Sequence, residues 1–136
     1  MCAEQSGTNL AETIKNVLQS RGYIVLAPHC LALDASVVHL VAVRNVNGSI
    51  HVSLFHILQK TKLRNYIIEK EIVRKLKAIK KQTNYDIYFI IFVKEIEDIN
   101  KNLLVYPFEW LERTHSGNYM ISEYRLETTT PLVHFS

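Results

Sequence analysis

The chain has 136 residues, of which 48% are hydrophobic and 21% are charged, with only 4 Gly and 3 Pro. These values are typical of one globular domain and exclude a disordered or low-complexity chain. The longest apolar run, Ile87 to Val93, is too short to cross a bilayer, and the N-terminal residues lack the basic and apolar regions of a secretory signal. We therefore expect an intracellular protein, in the cytoplasm or the nucleus, with no membrane partner. Cys2 and Cys30 are too few for a disulfide framework, which predicts reduced thiols.

The positive charge is concentrated in one segment. Between Lys60 and Lys81 the chain carries nine basic residues and two acids, a net charge of +7, although the whole chain carries only +3. The remainder of the chain is therefore net negative. Such a separation of charge favours a polyanionic partner.

Hydrophobic periodicity predicts eight elements in an α/β order. In chain order they are a helix from Asn9 to Arg21, a strand from Tyr23 to Leu26, strands from Val37 to Val43 and from Ile50 to Phe55, a helix from Arg64 to Lys81, strands from Ile87 to Val93 and from Leu103 to Tyr106, and a short helical stretch from Phe108 to Arg113. The pair Asn47-Gly48 predicts a β-hairpin between the third and fourth elements. The stretch 27–36 has no clear period.

No repeat and no linker rich in Gly, Ser or Pro divides the chain, so we expect one domain. Residues 1–8 are expected to form a flexible N-terminus, residues 9–113 an α/β core, and residues 114–136 a C-terminal extension of the same domain. Alternation of Tyr119, Ile121 and Tyr124 predicts an edge strand in that extension.

This order of elements resembles the core of the PD-(D/E)XK nucleases, the restriction-endonuclease and Holliday-junction-resolvase superfamily. Three stretches carry the resemblance: Leu10 to Leu26, which ends in Arg21-Gly22-Tyr23-Ile24-Val25, the hairpin Val37 to Phe55, and Tyr85 to Val93 followed by Leu104 to Leu111. The resemblance implies a restriction-endonuclease-like α/β core. Its mixed sheet would have about five strands, with an N-terminal helix and a basic amphipathic helix after the hairpin.

The catalytic pattern of that superfamily is missing. In its members an acid opens one hairpin strand, and an acid and a lysine two residues apart stand on the other strand, where they hold a divalent metal. Ile50 to Phe55 contains neither an acid nor a lysine, and none of the 13 Asp and Glu residues has a Lys two positions later. His39 stands where the first acid is expected, with Asp34 as the nearest carboxylate. The resemblance therefore implies a degenerate site without a metal cofactor.

Two other catalytic arrangements stay open. Some members of the superfamily move an active-site residue onto the following helix, and Asp34, Glu71 and Lys75 would then form a migrated site that uses Mg²⁺. Glu71 and Lys75 are more simply explained as an ion pair between consecutive helical turns. The tRNA-splicing endonucleases instead use Tyr, His and Lys, for which His51 and His56 are candidates.

The basic residues of the second predicted helix share one face. Lys70, Arg74, Lys77 and Lys81 recur at helical spacing opposite the apolar stripe, with Lys80 beside them. Both a solvated helix face and a phosphate-binding ridge fit this spacing. Such a ridge would bind nucleic acid in a salt-sensitive way without reading the bases.

The sequence therefore predicts a catalytically inactive nuclease-fold protein, of viral or mobile-element origin. It would bind nucleic acid or a nucleic-acid-processing complex through its basic helix. One alternative is a structural subunit similar to the N-terminal domain of the fifth RNA polymerase subunit, whose first helix ends like Arg21-Gly22-Tyr23. The other is an active metal-dependent endonuclease with the migrated site. Analogy with resolvases and restriction enzymes, which act in pairs, suggests a homodimer.

Overall fold

A computed structural model describes residues 9–136, and the predicted flexible segment 1–8 lies outside the described residues. The helices are α1 (Asn9–Ser20), α2 (Lys70–Thr83) and the short α3 (Glu123–Leu126). The strands are β1 (Ile24–Leu26), β2 (Leu40–Val46), β3 (Ser49–Lys60), β4 (Tyr66–Ile68), β5 (Asp86–Val93), β6 (Leu103–Pro107), β7 (Glu112–Arg113), β8 (Tyr119–Ile121) and β9 (Thr130–Pro131). No helix within this range is long and apolar enough to cross a membrane.

The main sheet has six strands in the order β1-β2-β3-β5-β6-β9. Strand β3 runs parallel to β5, with β4 and α2 in the connection between them, and the other neighbours are antiparallel. The predicted mixed sheet, with an N-terminal helix and a second helix after the hairpin, is confirmed. Strand β5, the apolar run Ile87 to Val93, lies inside the sheet, where its side chains are covered on both faces.

The β-hairpin forms as predicted, with shifted strand ends. Asn47 and Gly48 have φ angles of 52° and 85°, the left-handed conformations that a two-residue turn of this kind requires. Strand β2 begins at Leu40 rather than at Val37. Strand β3 does not end at Phe55 but continues to Lys60, because its second half pairs in parallel register with β5.

The sheet is covered on both faces. On one face, Ile14 and Leu18 of α1 pack against apolar residues of β2, β3 and β5. On the other face, Val73 and Leu76 of α2 are fully buried against the opposite side of the same strands. Alternate residues of each strand thus belong to two separate apolar layers.

The C-terminal residues close the α1 layer. The ring of Phe135 lies 5.6 Å from the rings of Tyr23 and Phe55 and 5.1 Å from that of Tyr88, measured between centroids. Arg21 Nε donates a 3.0 Å hydrogen bond to the Phe135 carbonyl. The end of the described chain is therefore held against the first helix and strand by packing and by a hydrogen bond.

A second sheet of three strands, in the order β4-β8-β7, packs beside α2. Its presence corrects the prediction of a helix from Arg64, because Tyr66–Ile68 pairs with Tyr119–Ile121 and α2 begins only at Lys70. The tail strand β8 lies in the middle of this sheet rather than at an edge. The predicted helical stretch from Phe108 ends after one short turn, and Glu112–Arg113 form β7.

Tyr106 on β6 joins the two sheets. Its side chain is fully buried, and its Oη donates to the Trp110 carbonyl at 3.1 Å and accepts from the Ser122 amide at 3.2 Å. Burial raises the pKa of the Tyr106 phenol. The hydroxyl therefore stays protonated and satisfies two backbone groups that would otherwise lack partners.

The stretch 27–36, which has no predicted structure, forms a loop before β2. Pro28–Leu31 make one 3₁₀ turn, and Ala32 after it has a left-handed φ of 55°. Asp34 Oδ1 accepts hydrogen bonds from the amide and the hydroxyl of Ser36, at 2.9 and 2.6 Å. Cys30 in this loop is disulfide-bonded, so the prediction of a reduced thiol is wrong at that position.

Candidate nucleic-acid interface and the hairpin cleft

A cleft of about 360 Å³ lies where the N-terminus of α1 meets the hairpin, and we call it the hairpin cleft. It is lined by Leu10, Ala11, Pro28, Ala35, His39, Ile57 and Gln59. The superfamily pattern would place one acid at the start of the first hairpin strand and an acid and a lysine two residues apart on the second. The corresponding positions in this cleft hold His39, immediately before β2, and Ile57 and Gln59, two residues apart on β3. The lining residues carry no carboxylate.

His39, which is half-buried, pairs with the buried His56 of β3. The two ring centroids are 4.5 Å apart. His39 Nδ1 accepts a 2.7 Å hydrogen bond from the Ile57 amide, and His56 Nδ1 lies 2.8 Å from the Val37 carbonyl, to which it must donate. These bonds assign the proton of His39 to Nε2 and that of His56 to Nδ1.

Both imidazoles resist protonation. Burial, together with the charge that His56 would carry, lowers the pKa of His39 to about 4. Burial also lowers the pKa of His56, against the opposing effect of its hydrogen bond to Val37. The pair is therefore neutral at neutral pH, so this end of the hairpin lacks the negative charge of a carboxylate metal site. Within residues 9–136, no three His, Cys, Asp or Glu side chains are grouped closely enough to hold a metal ion.

The structure brings together only part of the predicted migrated site. Lys75 Nζ lies 3.5 Å from Asp34 Oδ2, with both side chains well exposed. Glu71 instead holds the guanidinium of Arg74, one turn away on the same helix. Hydrogen bonds from Ser36 and the charge of Lys75 lower the pKa of Asp34, and Arg74 lowers that of Glu71. Each carboxylate is thus neutralised by its own cation.

The basic residues of α2 point away from the core. Lys70, Arg74, Lys77 and Lys81 are exposed, whereas Val73, Leu76 and Ile79 on the opposite side are buried. Lys80 differs from the other predicted nucleic-acid-binding residues, because its Nζ donates to the Tyr85 carbonyl at 3.0 Å and lies 3.9 Å from Asp86. Four of the five predicted contacts therefore share an outward face.

A recess of about 320 Å³ lies between α2 and the second sheet, and we call it the α2 recess. Lys70, Glu71, Val73, Arg74, Lys77, Arg113, Gly117 and Tyr119 line it. Lys77 Nζ donates a 2.5 Å hydrogen bond to Tyr119 Oη and lies over the Tyr119 ring. That bond and the charges of Lys77 and Arg113 lower the pKa of the Tyr119 phenol. Neither Arg113 nor Tyr119 is predicted from the sequence as a site residue, and only Tyr119 has a local signal, the alternation around β8.

A second basic surface follows β3. Gln59, Lys60, Thr61, Lys62, Arg64 and Tyr66 surround a recess of about 390 Å³. Lys60 Nζ lies 4.7 Å from the centre of the Tyr66 ring, a cation–π contact that holds the lysine in place. The basic residues of the segment from Lys60 to Lys81 therefore lie in two places, the turn after β3 and the helix α2.

Comparison with known proteins identifies the fold. No protein-family model matches the chain, and no curated protein matches it in sequence. Among solved structures, the chain is similar to Hjc, a Holliday junction resolvase from the archaeal hyperthermophile Archaeoglobus fulgidus, with a TM-score of 0.66 and 16% sequence identity. The match covers 93% of this chain and 92% of the resolvase. The chain therefore has the fold of a Holliday junction resolvase, and the resemblance to the restriction-endonuclease-like superfamily is confirmed at the level of the fold.

Proposed function

We propose that this protein binds nucleic acid through the outward face of α2 and does not cleave it. The observation that carries the proposal is the row of exposed cations Lys70, Arg74, Lys77 and Lys81 on a helix whose opposite side is buried. Glu71 offsets only Arg74. A row of cations spaced along a helix attracts the phosphates of a nucleic-acid backbone without reading its bases. This proposal places the protein inside the cell, together with its nucleic-acid partner.

The proposed loss of cleavage rests on the chemistry of the hairpin cleft. A hard divalent cation prefers several oxygen ligands. Ile57 supplies none, Gln59 only an amide oxygen, and His39 an imidazole that is already hydrogen-bonded at Nδ1. The proposal therefore includes no metal cofactor.

Binding is tested with fluorescent single-stranded, duplex and branched oligonucleotides at several salt concentrations. The double variant Lys77→Glu/Lys81→Glu should weaken binding to all of them by a similar factor. For each lysine that touches a phosphate in the wild-type complex, the substitution should reduce the slope of log affinity against log salt by about 0.7 to 0.9. The matched control is Lys15→Glu/Lys101→Glu, which changes the net charge equally. Lys15 is on α1, on the opposite face of the sheet from α2, and Lys101 is in the loop between β5 and β6.

The control separates a local contact from a general charge effect. Equal weakening by the two double variants would contradict a specific role for α2. If the wild-type protein fails to bind any of these nucleic acids at low salt, the proposal is wrong, and a protein of a nucleic-acid-processing complex becomes the better candidate for the partner.

The absence of cleavage is tested on supercoiled, linear, branched and single-stranded substrates in Mg²⁺ and in Mn²⁺. We expect no product above that of a mock purification. Cleavage that disappears in Glu71→Ala or Lys75→Ala would contradict the proposal and support the migrated site. Cleavage that survives both changes would contradict it and point to another site.

A further inference from the structure

The α2 recess collects cations from separate parts of the chain around one open point. Gly117, in the turn between β7 and β8, has a φ of 82°. A Cβ atom at this position would lie 3.7 Å from Lys70 Nζ and 3.9 Å from Arg113 Nη2. Two positively charged groups, one from the start of α2 and one from β7, therefore lie beside this glycine.

A third cation faces the same space. Lys77 lines the recess one helical turn beyond Arg74, and its Nζ is directed by the hydrogen bond to Tyr119 Oη. None of the four ion pairs formed within residues 9–136 involves Lys70, Lys77 or Arg113. The carboxylate that lines the recess, Glu71, is held by Arg74. The three other cations therefore repel one another, and a bound anion would relieve that repulsion.

Strand pairing, and not helical spacing alone, brings Arg113 beside the two lysines of α2. Arg113 and Tyr119 are in adjacent strands, since Arg113 pairs with Tyr119 across β7 and β8. Strand β8 pairs in turn with β4, which immediately precedes α2. The volume of about 320 Å³ is within the range of small-ligand sites.

We propose that the α2 recess is a phosphate-binding pocket in which Lys70, Lys77 and Arg113 contact one phosphate group of a nucleic acid. The guanidinium of Arg113 can donate two parallel hydrogen bonds to phosphate oxygens, and the two lysines act as point charges. The inference rests on the proposed function for the source of the phosphate. The pocket shares Lys70 and Lys77 with the predicted ridge, and Arg113 of the second sheet distinguishes it from that ridge. The hydrogen bond from Lys77, together with the charges of Lys77 and Arg113, also lowers the pKa of Tyr119.

Pyrophosphate is the first probe, added to the full chain while backbone amide shifts are followed by nuclear magnetic resonance. We expect saturable shifts in residues 70–77 and 113–119. Arg113→Gln should weaken pyrophosphate binding by about tenfold, because a hydrogen bond to a charged group is removed. Arg113→Lys should have an intermediate effect, and Lys101→Gln, an exposed residue away from the recess, should have none.

Oligonucleotides then distinguish a terminal phosphate of a strand from an internal one. If the pocket takes a strand end, a terminal phosphate should strengthen binding to the wild-type protein and give no advantage with Arg113→Gln. If it takes an internal phosphate, Arg113→Gln should weaken binding equally whether or not the end is phosphorylated. Either result supports a phosphate pocket.

Two results would overturn the pocket. One is pyrophosphate binding that is unchanged in Arg113→Gln, and the other is a set of shifts spread evenly over the exposed lysines. These failures are distinguishable from failure of the proposed function. Loss of nucleic-acid binding in Lys77→Glu/Lys81→Glu alongside normal pyrophosphate binding in Arg113→Gln would reject the pocket alone. The opposite result is also informative. If pyrophosphate binding depends on Arg113 but the protein binds no nucleic acid, nucleic acid is rejected as the source of the phosphate and the phosphate pocket stands.

Discussion

Acidification should destabilise this protein through His39 of the hairpin cleft. Its folded pKa is about 4, compared with an ordinary value of 6.5. As the pH falls below 6.5, the unfolded chain takes up a proton that the folded protein does not. The free energy of unfolding therefore falls between about pH 6.5 and pH 4 and levels off below the folded pKa.

The size of the effect follows from that difference in pKa. At 1.36 kcal/mol for each pKa unit, the upper limit is about 3 kcal/mol. The His39 ring borders the cleft and is only partly buried. Solvent screening therefore reduces our expected contribution to about 1 to 2 kcal/mol.

The assay is denaturant unfolding at intervals from pH 7 to pH 4, for the wild-type protein and for His39→Asn. The Asn side-chain oxygen can replace Nδ1 as the acceptor of the Ile57 amide, but it does not titrate. His56, Asp34 and Glu71, whose lowered pKa values also cost stability on acidification, are common to both proteins. Wild type should lose about 1 to 2 kcal/mol more than the variant. Parallel losses in the two proteins would refute the assignment of the effect to a neutral His39.

Three further outcomes are expected. The triple variant His39→Asp/Ile57→Glu/Gln59→Lys should bind Mn²⁺ more tightly than wild type in a calorimetric titration, because it supplies two carboxylates to the hairpin cleft. An unchanged affinity for Mn²⁺ would mean that these three positions do not converge on one site. Tyr106→Phe should reduce the free energy of unfolding by about 1 to 3 kcal/mol, since two buried backbone groups lose their partner, whereas a negligible change would show that they find other partners. Phe135→Ala should cost about 3 to 5 kcal/mol in the same measurement, and a surface-like cost below about 0.5 kcal/mol would contradict its packing role.

The sequence predicts best those elements whose cause is local. Asn47-Gly48 specifies its turn through backbone conformation, and the apolar run Ile87 to Val93 has the length and composition of a buried strand. From Lys70 onward, the amphipathic pattern of α2 likewise predicts the buried Leu76 and Ile79 and the exposed basic face, although the structure buries Val73 more completely than Ile72. In each case the deciding interactions lie within a few residues of one another.

The errors arise where a distant partner decides the structure. Tyr66–Ile68 continues a helical pattern into α2, but pairing with Tyr119–Ile121 makes it a strand. Beyond Phe55, β3 has no partner in β2 and pairs only with the distant β5, so the hairpin pattern does not predict its second half, where Ile57 and Gln59 line the cleft. Arg113 reaches the α2 recess only through the same long-range pairing. No local pattern could have placed it beside Lys70.

The pairing of β4 with β8 also has a consequence for the order of folding. During synthesis α2 emerges well before β7 and β8, so its basic face is complete while half of the α2 recess does not yet exist. Contacts between such distant segments carry a loop-closure cost and tend to form late. A nascent or partly folded chain would therefore attract polyanions through α2 alone, and the shaped recess would be acquired only when the last quarter of the chain docks.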